Sequence, residues 1–190
     1  MIELFSTSLD DTIALGRRLG ELAQRGDVFA LDGELGAGKT QLVRGLAQGL
    51  GLDPAHVSSP TFVFMHEYPP EDEHGHPIED NPDRPTLIHI DAYRVTSAHD
   101  LATLGYEDEL RDTSVTAVEW ATLLAAAPGQ PLGNHRLHLQ IEHQDHNHRR
   151  LTLTPHGRWQ DQLPHLQNLA PGKFPGAATT NPSSHPQPTA

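Results

Sequence analysis

Apolar and polar positions change period several times along this chain. "ELFSTS" (3–8) alternates loosely and predicts a first strand. From Leu9 to Arg25 the residues Ile13, Leu15, Leu19, Leu22 and Ala23 make one apolar face, which predicts a helix. Ser8 is its expected N-cap, and Asp10 and Asp11 fall in the first turn, where carboxylates favour the helix dipole. Gly26 and Asp27 end it. "VFAL" (28–31) is an unbroken apolar run between turn residues, the pattern of a parallel strand buried on both faces. A second helix follows over Lys39–Leu50, with Leu42, Val43, Leu46 and Leu50 on one side. Gly45 and Gly49 are expected to weaken it by about 1 kcal/mol each relative to alanine.

"TFVFMHEY" (61–68), "TLIHIDAY" (86–93) and "SVTAVEW" (114–120) read as strands, and "LATLGYEDELR" (101–111) as a helix broken at Gly105. "HRLHLQIEH" (135–143) and "RRLTLTP" (149–155) alternate apolar with polar residues, which predicts an antiparallel hairpin at a sheet edge, turning through "QDHNH". The segment 69–85 holds five prolines and six carboxylates and cannot pack into a core, so an exposed acidic insertion is expected. Residues 1–155 make the expected folded domain, 156–170 leave room for a short helix, and 171–190, with five prolines and one charged residue, read as a disordered tail. The predicted class is α/β: one small phosphate-loop domain with a mixed, mostly parallel sheet flanked by helices.

Composition narrows the function. The 190 residues include no cysteine, which excludes disulfides and thiolate metal sites. No basic-then-apolar leader and no membrane-length apolar run is visible, so a cytoplasmic address is expected. The formal net charge is −12, with 13 basic residues. That argues against strong direct binding of nucleic acid and suits a protein partner with a basic surface.

The chemistry concentrates at "GELGAGKT". Gly33, Gly38, Lys39 and Thr40 fit G-x-x-x-x-G-K-[ST], between a predicted strand and a predicted helix. The glycines allow a turn in which several N–H groups face a phosphate, and the helix start adds its positive end. Lys39 is expected to reach the β- and γ-phosphates and Thr40 to ligate Mg²⁺. The chain has no N-K-x-D base-reading motif, so ATP is favoured over GTP. Asp91 and Glu119 close two predicted strands, where carboxylates that manage magnesium usually stand. "SSPTF" (58–62) puts three hydroxyls on a proline-stiffened segment, as nucleotide switches do.

Together, "GELGAGKTQLVRGLAQGLG", "SSPTF", "HIDAYR", "LGYED" and "VEW" resemble, in order and rough spacing, the TsaE (formerly YjeE) family, the ATPase component of bacterial tRNA threonylcarbamoyladenosine biosynthesis. The resemblance spans about Leu4 to Thr154. It implies that Glu34, Gly36, Ala37, Gly38, Lys39, Thr40, Gln41 and Trp120 contact ATP. It further implies catalytic roles for Lys39, Thr61, Asp91 and Glu119, with Thr40 and Glu119 toward Mg²⁺, although which of Asp91 and Glu119 ligates the metal stays open. The implied partner is the TsaB–TsaD pair, reset by ATP hydrolysis, with tRNA held by those partners. One departure stands out: Ala121 and Thr122 follow "EW", where the family commonly has Pro or Gly and often another acid.

Two other readings share the loop. A small-molecule kinase is disfavoured because between Asp91 and Glu119 only Arg94 and Arg111 could serve as a cationic lid. A non-catalytic nucleotide-gated module would bind without releasing phosphate. Of the 14 histidines, His143, His146 and His148 crowd the hairpin turn and His74 and His76 sit in the acidic loop, and all five read as solvated rather than as metal ligands.

Overall fold

A computed structural model describes residues 1–60, 64–78, 81, 83–94, 112–125 and 132–169. Its strands are β1 (Ile2–Ser6), β2 (Asp27–Gly33), β3 (Met65–Tyr68), β4 (Leu87–Asp91), β5 (Val115–Glu119), β6 (His135–His143) and β7 (Arg149–Pro155). Its α-helices are α1 (Leu9–Leu22), α2 (Lys39–Gly49), α3 (Ala121–Ala125) and α4 (Leu163–Gln167). The strands form one sheet in the order β1-β7-β6-β2-β5-β4-β3. Five of them, β1, β6, β2, β5 and β4, run one way, and β7 and β3 run the other.

Alternation along the central strands sorts the core into two layers. Phe29, Leu31, Val115, Ala117, Leu137 and Leu139 face the cluster that includes Leu15, Leu19, Leu42 and Leu46 of α1 and α2. Val28, Ala30, Ile88, Ile90 and Val118 face a smaller cluster with Ala121 and Leu124 of α3. The continuous "VFAL" run follows from this: both faces of β2 are covered.

Ser8 caps α1, its side chain accepting from the Asp11 amide. That cap ends β1 at Ser6, two residues short of the predicted strand. The helix stops at Leu22, before the expected Arg25, because the Gln24 amide turns to donate to Asp27 Oδ2 (2.7 Å). The hairpin forms with the predicted bounds, but it is not at the sheet edge: β6 pairs in parallel with β2, and β1 covers the far side of β7. The alternation has another cause. One face of β6 and β7 meets α1 and α2, while the other stays half-buried. Edge position and one-sided cover leave the same pattern in a sequence.

The helices α1 and α2 touch through their backbones. A Cβ on Gly16 would lie 2.2 Å from Leu42 O and one on Gly20 2.4 Å from Leu46 O; from the other side, Gly45 would meet Ile13 O at 2.2 Å and Gly49 Arg17 O at 2.1 Å. Contacts ascend together in both helices, so they run parallel, with their N-termini at the same end of the sheet. Past β7, Trp159 is fully buried and meets Phe29 edge-on at 5.3 Å. Arg158 clasps the buried Asp27, with Nε 2.7 Å from Oδ1 and Nη2 on Oδ2, and also donates to Leu22 O (3.0 Å).

The predicted strand at 61–68 begins only at Met65 among the described residues. Phe64 before it has φ 70°, a left-handed conformation in which a strand cannot continue. Thr61, the helix expected over 101–111 and the tail from 171 lie outside the described residues.

Candidate functional site

Gly33 ends β2 with φ 150°, and a Cβ there would stand 2.4 Å from Ile141 O, so only glycine fits. The chain then turns through Gly36 (φ 79°) and Gly38 (φ 110°), the second being the N-cap of α2. Glycine offers no capping side chain, so among the described residues no side chain caps the first-turn amides of α2, which suits an anionic ligand. Ala37 is buried beneath them.

Lys39 is only 4% exposed. Its Nζ donates to Gly33 O (2.8 Å) and Glu34 O (3.1 Å) and lies 3.8 Å from the centroid of the Trp120 ring. Burial pushes its pKa below the lysine norm, against the pull of Glu119, Asp91 and Asp32. Trp120 itself has φ 60°, its amide donates to Leu31 O (2.8 Å), and its ring packs at 5.1 Å on that of Tyr93.

Asp91 and Glu119 are register partners at the ends of adjacent parallel strands, so their carboxylates leave the sheet at one level. Glu119 Oε1 accepts from Thr40 Oγ1 (2.7 Å) and His89 Nε2 (2.9 Å). Burial opposes its ionisation, but the hydrogen bond and charge of His89, then Thr40 and Lys39, outweigh that and hold its carboxyl below the usual glutamate range. Asp91 Oδ1 accepts from the Tyr93 amide (3.0 Å), and Ser59 Oγ lies 3.4 Å from Oδ2.

These groups converge on a cavity of about 410 Å³. Leu35 to Gln41, Ser59, Asp91, Glu119 and Trp120 form part of its wall. The rest comes from Ser8, Leu9 and Thr12 at the start of α1 and from His146, Asn147 and Arg149 at the β6–β7 turn. Arg149 ties that turn to the loop by donating from Nε to Ala37 O (3.1 Å). Of the predicted contacts, the Glu34 side chain points to solvent and off this wall, its carbonyl holding Lys39 instead. Gln41 lines the cavity and accepts from Arg44 Nη1 (3.1 Å).

Sequence reading missed four residues. His89 stands two residues before Asp91, hence on the same strand face; that spacing was the available signal. Arg149 and Asn147 come from a hairpin turn more than a hundred residues downstream, and no local pattern announces them. Asp32, next to the loop's first glycine, bonds Thr122 and His138 on the opposite sheet face.

The residues fit a nucleoside triphosphate with magnesium. Open helix amides and a lysine suit phosphates, and Thr40, Glu119 and Asp91 present hard oxygens of the kind Mg²⁺ accepts beside water and phosphate.

A family model described as "Threonylcarbamoyl adenosine biosynthesis protein TsaE" matches residues 6–151. The tRNA threonylcarbamoyladenosine biosynthesis protein TsaE of Streptomyces coelicolor is 42% identical over 129 residues, which cover 67% of this chain and 76% of that protein. The protein of the same description from Bacillus subtilis is 32% identical over 154 residues, covering 81% and 85%. The crystal structure of Bacillus subtilis YdiB superposes with a TM-score of 0.61 at 27% identity, over 88% of this chain and 94% of that one.

Proposed function

The chain belongs to the TsaE family, and we propose that it is the ATP-hydrolysing component of the machinery that makes tRNA threonylcarbamoyladenosine, binding the TsaB–TsaD pair and resetting it between catalytic cycles. One observation carries this reading: the uncapped start of α2, Lys39 and two strand-end carboxylates share a single cavity.

In this reading the amides from Gly36 to Thr40 take the phosphates, and the Lys39 ammonium exchanges the carbonyls of Gly33 and Glu34 for phosphate oxygens. Mg²⁺, when bound, neutralises charge on the β- and γ-phosphates. Thr40 Oγ1 and Glu119, already in contact at 2.7 Å, are the residues that hold it. Asp91 accepts a hydrogen bond from the attacking water, its other oxygen fixed by the Tyr93 amide. Leu9 and Asn147 also line the cavity, and in this reading they flank the nucleoside. Trp120 shields Lys39 from water. A chain of charge −12 leaves the tRNA to its partners. No helix among the described residues is long and apolar enough to cross a membrane, which suits a cytoplasmic place.

Phosphate release from MgATP by the purified chain, alone and with TsaB–TsaD, tests the reading. The chain alone turns over slowly, and the pair accelerates it by roughly tenfold or more, as charge supplied in trans does for other phosphate-loop proteins. Asp91→Ala abolishes release while keeping ATP affinity, which separates hydrolysis from mere nucleotide gating. Fast turnover indifferent to the pair overturns the proposal.

A further inference from the structure

Behind the loop, on the face of the sheet away from α1 and α2, stands a second polar cluster that the proposed chemistry does not use. Asp32 is 7% exposed. Its Oδ2 accepts from Thr122 Oγ1 (2.7 Å) and His138 Nε2 (2.7 Å), and its Oδ1 accepts from the Thr122 amide (3.1 Å). The cluster borders a cavity of about 270 Å³ and is anchored on three elements: β2, β6 and the start of α3.

What it holds is the corner after β5. Glu119 ends that strand, and Trp120 follows with φ 60°, a left-handed conformation that is unfavourable for a bulky residue. Such a conformation persists only where its surroundings impose it. Two consecutive residues of β2 do so here: Leu31 O takes the Trp120 amide, and Asp32 takes the amide and hydroxyl of Thr122. The next residue is Gly33, whose carbonyl holds Lys39. Loop, corner and lysine thus hang from one strand.

We infer that Asp32, braced by His138, is a positioning residue: it clamps Thr122 and thereby sets the aim of Glu119 and the seat of Trp120 over Lys39. It touches no reacting atom. Thr122 supplies the hydroxyl that the clamp grips.

The rate side of this inference rests on the ATPase reading; the conformational side does not, and the experiment keeps them apart. In a Trp159→Phe chain, Trp120 is the sole tryptophan; the parent change forfeits no hydrogen bond, since Trp159 Nε1 has none among the described residues. Without nucleotide, Asp32→Asn moves Trp120 emission to longer wavelength as the ring leaves its seat. With MgATP, kcat falls about tenfold while KM stays within about twofold, because the loop amides are untouched. Thr122→Val, which keeps the carboxylate and the backbone bond, shows the same split in milder form and stands in if Asp32→Asn fails to fold. Thr122→Ser restores the hydroxyl and recovers the parent values. Unchanged emission in both Asp32→Asn and Thr122→Val overturns the clamp, as does an equal fall in Thr122→Val and Thr122→Ser. A parent that releases no phosphate sinks the ATPase reading instead, and the emission arm still decides the clamp.

Discussion

Lys39 illustrates how a residue proposed to bind phosphate works against the fold. Its ammonium is buried, and its desolvation is only partly offset by Glu119, Asp91 and Asp32. Lys39→Met keeps the apolar stem and drops the charge, so the melting temperature holds or rises, while ATP affinity falls ten- to hundredfold, about 1.5–3 kcal/mol for one charged hydrogen bond. Calorimetry paired with nucleotide titration checks both; a clear drop in melting temperature contradicts the argument. Glu119 has the opposite sign. Its folded carboxyl titrates below the ordinary 4.5, so it contributes stability that is complete above that value and lost as pH falls through the lowered one. Urea unfolding at pH 7 and pH 3.5 therefore shows a smaller acid loss in Glu119→Gln than in the parent. The sequence pointed to both residues because strand ends and loop spacing are local. It was silent on His89 as the partner of Glu119, since which acid sits opposite a histidine depends on strand register across the sheet.

At the scale of elements, Gly45 and Gly49 change meaning once packing is known. Read along the chain, they are weak points of α2; packed, they face Gly16 and Gly20 so closely that backbone meets backbone. Gly45→Ala gains helix propensity of about 1 kcal/mol but places a methyl 2.2 Å from Ile13 O and 2.8 Å from the Arg17 amide. The clash wins, with a net loss of about 1–3 kcal/mol in chemical denaturation, whereas Gln48→Ala on the exposed side of α2 stays within about 0.5 kcal/mol of the parent. Because α1 is registered by the same contact, nucleotide affinity drops as well where Leu9 and Thr12 line the cavity. The C-terminal clasp follows a related logic. Arg158→Ala strands the buried carboxylate of Asp27 and costs about 3–5 kcal/mol, and Asp27→Asn in the same chain recovers part of it by removing the orphaned charge. Neither partner was legible in the sequence, where 131 residues separate them; the hairpin's place inside the sheet was hidden for the same reason.

At the scale of the whole molecule the charge becomes an argument about association. With 25 acidic and 13 basic residues the chain repels polyanions at long range, and no local motif reverses that. Composition alone made this plain, because net charge needs no fold to be read. The proposed TsaB–TsaD partner then has to present a basic face, and encounter between them is steered by opposite charge. Such steering is screened over about 10 Å at 0.1 M salt. Raising salt from 0.05 to 0.5 M therefore lowers the association rate with TsaB–TsaD by about tenfold or more while the dissociation rate moves little. Surface plasmon resonance across that range measures both rates, and stimulation of ATP hydrolysis at limiting partner concentration should decline in step with the association rate. An association rate insensitive to salt would mean that the acidic surface faces solvent in the complex. The chain alone retains no tRNA on a filter at any of these salt concentrations, since too few cations are present to release counterions from its backbone.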